Sequence, residues 1–339
     1  MAIQCRFRWP MVLAGFASAV IAGAVKAQSS SAPHRDAANA SSAARWTVSS
    51  PDASLAWFDL LARLRLPGAG AFAFVVPRDD ASVAPLARAL AQSRDFEILH
   101  FVPLYYPTAD RAALVAALRA ASRTPAIASA PRAELVTAAL TNALSPDARR
   151  DRFPELASAL EHARAVPPSP AQLAAWQQRL DSVFTPALQP WLQAERLDGG
   201  RLIVSPAIGA EGRMFAGTSD RADNIIAVGT GAGDPDAEAP LLAFVRELCF
   251  PAVTRAAEHA RGFNAADPRS ARRASLAAVR CGGDLLDQLL PTRAAAYRAF
   301  WLRAAGAPTS ASFDVAFPPD PVLQPSLAAS LRRVAGLGH

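Results

Sequence analysis

The fold of this chain is decided by RLIVSPAIGAEGRMFAGTSDRADNIIAVGTGAGDPDAEAP (residues 201–240) and by the overlapping stretch PLLAFVRELCFPAVTRAAEHARG (residues 240–262). In the first stretch, turn-forming residues separate short β-like pieces, which predicts one antiparallel sheet with strands at Arg201–Ser205, Arg213–Ala216 and Asn224–Val228. In the second, Pro240 suits the first turn of a helix, and apolar residues recur at steps of three and four. This predicts a long amphipathic helix with one face packed on a core.

The regions on both sides of these stretches are rich in alanine and have helical apolar periodicity. We expect an α+β fold that is predominantly helical, with a small antiparallel sheet and an Ala-rich helical N-terminal part. Two apolar runs, Ala71–Val76 and Glu97–Leu104, predict further strands. The periodicity predicts helices at 51–66, 82–92, 109–121, 132–144, 153–165, 170–184, 270–290, 293–305 and 326–335.

The N-terminus has the pattern of a secretory signal peptide. Residues 1–9 contain Arg6 and Arg8 but no acidic residue, and Met11–Val25 contains no charge. The apolar run is shorter than the roughly 20 residues that span a bilayer, which favours a cleaved signal over an anchor. We expect cleavage between Ala27 and Gln28 and export to the periplasm or the medium.

Composition divides the rest of the chain into regions. We expect a signal peptide at 1–27, a flexible tether at 28–46, a mainly helical N-terminal region with a few strands at 47–198, a core at 199–305, and a Pro-rich tail with a short helix at 306–339. Because no second segment reaches membrane length, we expect no membrane span in the mature chain.

The basic charge does not indicate a nucleic-acid partner. The formal charge is +6 with 35 Lys and Arg residues, but Lys26 is the single lysine. Loss of Arg6, Arg8 and Lys26 with the signal peptide lowers the charge to +3. The arginine-rich spots lack interleaved aromatic residues, so we expect no nucleic acid to bind. With 51% hydrophobic residues, the chain has ample material for a core and is not disordered.

The long helix contains Arg246-Glu247-Leu248-Cys249-Phe250, a degenerate form of the zinc-peptidase motif H-E-x-x-H. In the intact motif, two histidines four residues apart bind zinc and the glutamate activates the bound water. A strand ending in NIIAVG, an acidic turn, this helix and a second helix resemble the core of zincin-like, gluzincin-type metallopeptidases. The resemblance covers roughly residues 200–300, and its sharpest motif is broken.

The residues that replace the motif histidines exclude zinc there, because arginine stays protonated and phenylalanine has no donor atom. The resemblance implies a member that has lost its metal, with Glu247 as a vestigial general base. It offers Asp284 or Asp287 on the second helix as the remaining carboxylate, and implies that Arg246 pairs with Glu247 or with an acid of that helix. We expect no cofactor. The alternative is that Arg246–Phe250 belongs to an ordinary half-buried helix.

Two cysteines remain after loss of Cys5 with the signal peptide. Cys249 and Cys281 form an even pair, which in an exported protein is compatible with one disulfide. They are equally compatible with two buried, unpaired thiols.

These features predict an exported, non-catalytic, metal-free metallopeptidase-like protein that binds peptides or an envelope partner. The alternatives are a zinc-dependent hydrolase or peptidase with unidentified ligands, and a structural envelope protein. The position of Glu247 distinguishes them. The floor of an open cleft favours binding or hydrolysis, whereas burial against Arg246 favours a structural role.

Overall fold

The computed structural model describes residues 45–65, 81–91, 96–105, 110–122, 146–215, 224–231, 237–260, 263, 267–308 and 311–336. Several predictions made from the sequence lie outside the described residues. They are the signal peptide with its cleavage site between Ala27 and Gln28, most of the tether, the strand at Ala71–Val76 and the helix at Arg132–Leu144.

The described part of the chain is predominantly helical. Its α-helices are α1 (Asp52–Leu64), α2 (Ala84–Ala91), α3 (Val102–Tyr105), α4 (Arg111–Ala121), α5 (Pro146–Glu161), α6 (Pro170–Arg179), α7 (Thr185–Ala194), α8 (Ala239–His259), α9 (Pro268–Leu289), α10 (Pro291–Ala304), α11 (Phe313–Ala316) and α12 (Gln324–Ala335). A π-helical turn, Leu180–Phe184, joins α6 to α7. The helices predicted from periodicity within the described residues are confirmed. Most of their ends lie within a few residues of the predicted ones; α5 begins earlier than predicted, at Pro146.

The sheet is mixed, so the prediction of one antiparallel sheet is wrong. Its strands are β1 (Trp46–Ser49), β2 (Gly200–Ser205), β3 (Arg213–Phe215) and β4 (Asn224–Gly229), in the order β1-β2-β4-β3. β1 pairs with β2, and β2 with β4, in parallel, whereas β3 pairs with β4 antiparallel. Along the chain, β3 comes between β2 and β4 and runs opposite to both. In the sheet it lies at the edge beyond β4, so β2 and β4 are neighbours that run in the same direction.

The two central parallel strands, β2 and β4, are buried on both faces, as parallel sheets generally are. On one face Leu202 and Ile226 pack into a core with α6 to α12. On the other face Ile203 and Ile225 pack into a second core with α1 to α5. The fold is therefore a three-layer arrangement with the sheet between two sets of helices.

The strand predicted at Glu97–Leu104 is wrong. The chain forms a 3₁₀ helix over Phe96–Phe101 and continues into α3. Leu99 and Val102 are both buried, at the three-residue spacing that one helical face requires. The Leu99 carbonyl accepts a hydrogen bond of 2.7 Å from the Trp57 indole. A short apolar run fits a buried helical turn as well as a strand, and tertiary packing decides between them.

The first strand, β1, connects the N-terminal region to the predicted core by pairing with β2. Trp46, the last residue of the predicted tether, begins β1 and is fully buried, with its indole N–H donating to the Leu197 carbonyl at 2.8 Å. The Gln177 side chain accepts from the Val48 N–H at 2.7 Å and donates to the Trp46 carbonyl at 3.1 Å. The N-terminal region and the predicted core thus share one sheet.

Candidate functional site

The motif helix, α8, follows β4 after an acidic segment and packs inside the molecule. The residues of its predicted apolar face, Leu241, Val245, Leu248, Ala252 and Ala256, are all buried. The prediction of a single buried face holds only for the second half of α8, because every residue of Ala239–Cys249 is buried. Arg246 and Glu247 are buried as well, with side chains only 2% exposed. Glu247 therefore does not lie on the floor of an open cleft but is enclosed with Arg246.

The guanidinium of Arg246 is the centre of a buried cluster. Its Nη1 donates to Glu247 Oε1 at 2.6 Å, and its Nη2 donates to Glu211 Oε1 at 2.8 Å. Nη2 also donates to Ser275 Oγ on α9 at 3.0 Å, and Ser275 Oγ in turn lies 3.0 Å from Glu211 Oε1. The guanidinium carbon lies 5.3 Å from the centre of the Phe250 ring. The Arg246 guanidinium is thus contacted by Glu247 and Phe250 of the motif and by Ser275 of the second helix.

The other half of the cluster is supplied by the start of β3. The Gly212 N–H donates to Glu247 Oε1 at 3.0 Å, and Arg213 Nη1 donates to the Gly212 carbonyl at 2.7 Å. A Cβ at position 212 would lie 2.9 Å from Glu247 Cγ and 2.6 Å from the Ala227 carbonyl oxygen. Only glycine permits this close approach of the backbone to the glutamate.

The cluster is balanced in charge, with Arg213 and Arg246 facing Glu211 and Glu247. Burial raises the pKa of Glu247, and the adjacent guanidinium of Arg246 opposes this shift. Burial alone would lower the pKa of Arg246, but the attraction of Glu247 and Glu211 outweighs it and raises that pKa. The 2.6 Å hydrogen bond from Arg246 is short, as in charge-assisted pairs, and we describe Glu247 as the ionised partner.

This arrangement leaves little scope for general-base chemistry. A base must come within hydrogen-bonding distance of the proton that it removes. Glu247 Oε1 already accepts two hydrogen bonds, and its side chain is shielded from solvent. What the cluster does instead is fix α8 to β3 and α9 through charged hydrogen bonds.

The described residues contain no group of three or more His, Cys, Asp or Glu side chains that could hold a metal ion. The two carboxylates that the resemblance offered on α9 bind elsewhere. Asp284 accepts from Arg280 at 3.1 Å and from Gln324 at 3.3 Å, and Asp287 pairs with Arg298. The α9 side chain that binds Arg246 is Ser275.

The sequence pattern did not single out Glu211, Arg213 or Ser275 as members of a site. His100 is buried, and burial, together with the charge of Arg213, lowers its pKa to about 3. The detectable signal was the pair of opposite charges, Glu211 and Arg213, within an otherwise apolar sheet-forming stretch. Buried charges in such a stretch need partners; Glu211 finds one in Arg246 of α8, whereas Arg213 donates to the Glu211 and Gly212 carbonyls.

Cys249 on α8 and Cys281 on α9 are both buried, and both are thiols in the structure. Burial raises the pKa of the Cys249 thiol well above its ordinary value. The Cys249 thiol is therefore protonated and is not a reactive thiolate.

A cavity of about 490 Å³ lies between α1, α2 and α5, on the opposite face of the sheet from α8. Its lining includes Arg63, Arg152 and His162 and none of the residues that bind Arg246. Arg63 pairs with Asp59, Arg152 pairs with Glu155, and the His162 ring lies 2.8 Å from the Ser158 carbonyl.

None of the described helices is both long enough and apolar enough to cross a bilayer. No family model matches the sequence, and no curated protein or solved structure is significantly similar to it.

Proposed function

We propose that this chain is an exported, non-catalytic and metal-free relative of zincin-type metallopeptidases with a structural role in the envelope. The observation that carries the proposal is the Arg246 guanidinium, which is buried between Glu247, Glu211 and Ser275. In this proposal, a fixed organic cation stands where the intact motif would hold zinc.

The order of elements supports the relationship. A strand, β4, precedes the motif helix α8, and α9 follows it. The positions that would carry metal ligands in an intact motif, 246 and 250, lie against each other on α8, and α9 contributes Ser275 to the same point. Helical spacing alone brings 246 and 250 together, whereas the contribution of α9 is an independent feature of the tertiary fold.

The charges support a non-catalytic role. A zinc site needs neutral or anionic ligands with free lone pairs, and a guanidinium supplies a positive charge without any. Glu211 and Glu247 provide the compensating negative charges. A scaffold that loses its metal would keep two buried carboxylates without a cation. The Arg246 guanidinium supplies that positive charge from within the chain.

The outer strand supports peptide binding. Among the four described strands, β1 and β3 each pair on one side only; β3 pairs with β4 and lies directly beside the cluster at Gly212, with its residues Arg213 and Met214 buried. An edge strand can accept an extended peptide through main-chain hydrogen bonds. Binding of peptides or of an envelope partner is the second candidate, because the burial of Glu247 against Arg246 favours the structural role over it.

The absence of catalysis is tested with a casein-derived fluorogenic peptide mixture in the presence of micromolar zinc. We expect the wild-type chain and Glu247→Gln to give the same rate as buffer, because the carboxylate is already bonded and shielded. Wild-type turnover that Glu247→Gln abolishes would contradict the proposal and favour the zinc-dependent hydrolase.

Peptide binding is tested by probing an array of immobilised 12-residue peptides with the purified chain. We expect a subset of extended, β-branched sequences to bind in the micromolar range. The matched control is the same peptides N-methylated at alternate residues, which cannot donate to an edge strand and should lose binding. Binding to neither set would leave the structural envelope role as the better description.

A further inference from the structure

The outer edge of β1 is bonded to a single side chain of α6. Among the described strands, β1 pairs only with β2, and the Gly200 N–H donates to the Arg45 carbonyl at 3.2 Å. Backbone groups alternate in direction along a strand, so those of Trp46 and Val48 face away from β2. There the Gln177 side-chain oxygen accepts from the Val48 N–H at 2.7 Å, and its Nε2 donates to the Trp46 carbonyl at 3.1 Å.

This pair of hydrogen bonds is the one that a fifth, parallel strand would make. In a parallel ladder, one residue accepts from the N–H of one residue of its neighbour and donates to the carbonyl two residues earlier. The Gln177 carboxamide makes the same two bonds, to Val48 and Trp46, from a side chain. A strand of another molecule would need the same two groups, so it cannot pair with β1 while this amide is in place.

The amide is held in this orientation by Asp181, which lies four residues further along in the π-helical turn. Asp181 Oδ2 accepts from Gln177 Nε2 at 3.0 Å. The Asp181 carboxylate also pairs with the Arg45 guanidinium, whose Nε lies 2.9 Å from Asp181 Oδ1. Because Nε2 uses its two protons on a carboxylate and on the Trp46 carbonyl, the amide oxygen is left facing the Val48 N–H.

The helix that carries Gln177 is fixed by contacts that do not involve β1. The Trp176 indole, which is largely buried, donates to the Ala237 carbonyl at 2.9 Å. Arg179 pairs with Glu238 at the start of α8. α6 therefore presents the amide to the edge of the sheet from a position that is set by α8.

Without this amide, β1 would be prone to self-association. Its four residues, Trp46–Ser49, include neither a charged residue nor a proline, and Trp, Thr and Val favour strands. Uncharged, unpaired strand edges readily pair with the edges of other chains. Two copies of one chain can do this about a two-fold axis, with the same edge contributed by both.

We propose that the Gln177 carboxamide is an edge cap that prevents β1 from pairing with β1 of a second copy of this chain. Loss of the amide frees the Val48 N–H and the Trp46 carbonyl and makes β1 a two-fold interface. Asp181 acts as a positioning residue for the cap. This inference goes beyond the proposed function, because it depends neither on the metallopeptidase relationship nor on export.

The test is the mass of the purified chain, measured by light scattering after size-exclusion chromatography over a range of micromolar concentrations. We expect Gln177→Ala to approach about twice the wild-type mass as concentration rises. The matched control is Gln178→Ala, an exposed neighbour on α6, which should keep the wild-type mass. Adding Val48→Pro to Gln177→Ala should restore the wild-type mass, because proline removes the outward N–H and is tolerated at such an edge position.

Three results would overturn the proposal. They are an unchanged mass in Gln177→Ala, an equal gain of mass in Gln178→Ala, and a gain that persists after Val48→Pro is added. None of these measurements involves zinc or peptides, so failure of the proposal is distinguishable from failure of the proposed function.

A second measurement detects the cap without relying on association. Hydrogen exchange at the Val48 amide is followed at low micromolar concentration in wild type and in Gln177→Glu. This variant keeps the shape of the side chain but cannot donate to the Trp46 carbonyl, and it places a second carboxylate beside Asp181. We expect the Val48 amide to exchange about three- to tenfold faster in the variant, with the amides of β4 unchanged. Equal exchange at Val48 in the two proteins would overturn the proposal.

Discussion

Replacing Arg246 with methionine should destabilise the protein far more than replacing a surface arginine. The substitution keeps most of the buried side-chain volume but removes hydrogen bonds to Glu247, Glu211 and Ser275. It leaves two carboxylates, each about 2% exposed, without their shared cation. Breaking a buried ion pair in this way costs about 3–5 kcal/mol, because the remaining charge stays buried and uncompensated.

The measurement is urea unfolding at pH 7, followed by far-ultraviolet circular dichroism. The matched control is Arg119→Met, which removes an exposed pair between Arg119 and Glu161 with side chains 52% and 39% exposed. An exposed pair contributes about 0–1 kcal/mol. We therefore expect the unfolding free energy to fall much further in Arg246→Met than in Arg119→Met.

The pH dependence provides a second signature. In Arg246→Met the native pKa of Glu247, already raised by burial, loses the opposing effect of the guanidinium and rises further. The native state then holds a proton that the unfolded state releases, so the stability of the variant increases as pH falls through the raised native pKa. The difference from wild type should be smaller at pH 5 than at pH 8.

Glu247→Gln on the Arg246→Met background should restore part of the loss, since the amide accepts the Gly212 N–H without a buried charge. The reasoning would be refuted if Arg246→Met cost no more than Arg119→Met. It would also be refuted if its deficit were independent of pH.

Two further predictions concern other parts of the fold. His100 has a native pKa of about 3 against an ordinary value of 6.5, so its contribution to stability is present above pH 6.5 and is lost as pH falls towards 3. Urea midpoints should show wild type losing about 2 kcal/mol more than His100→Asn between pH 7 and pH 5. A methyl group added in Gly282→Ala would lie 2.1 Å from the Tyr297 hydroxyl, which should cost about 1–3 kcal/mol and lower the thermal midpoint. Gly336→Ala is the control, because its added methyl meets nothing closer than 3.7 Å. An equal effect of the two glycine substitutions would contradict that expectation.

Local signals in the sequence were sufficient for most helices and for the positions of β2, β3 and β4. Periodicity, proline near helix starts and turn residues are properties of neighbouring residues, so they can be recognised without the fold. The direction of the strands was not predicted correctly. The near-continuous apolar run NIIAVG of β4 is typical of a strand buried on both faces, which is the pattern of a parallel sheet.

Features that depend on distant residues were missed. Trp46 pairs with Gly200, far along the chain, so nothing near residue 46 distinguished a strand from a tether. The Arg246–Glu247 ion pair was anticipated from the broken motif. Its other partners, Glu211 and Ser275, come from a loop before β3 and from α9, and only tertiary packing brings them to the guanidinium.

The central claim, that the Arg246 guanidinium stands in place of a metal ion, is tested most directly by zinc stoichiometry. The wild-type chain and Arg246→His/Phe250→His/Ser275→Glu are dialysed against trace zinc and analysed by elemental mass spectrometry. The substituted positions converge on one point, so the triple variant should gain two imidazoles and a carboxylate within reach of each other. The account predicts no zinc in wild type and about one zinc per chain in the variant. Stoichiometric zinc in wild type, or none in the correctly folded variant, would contradict it.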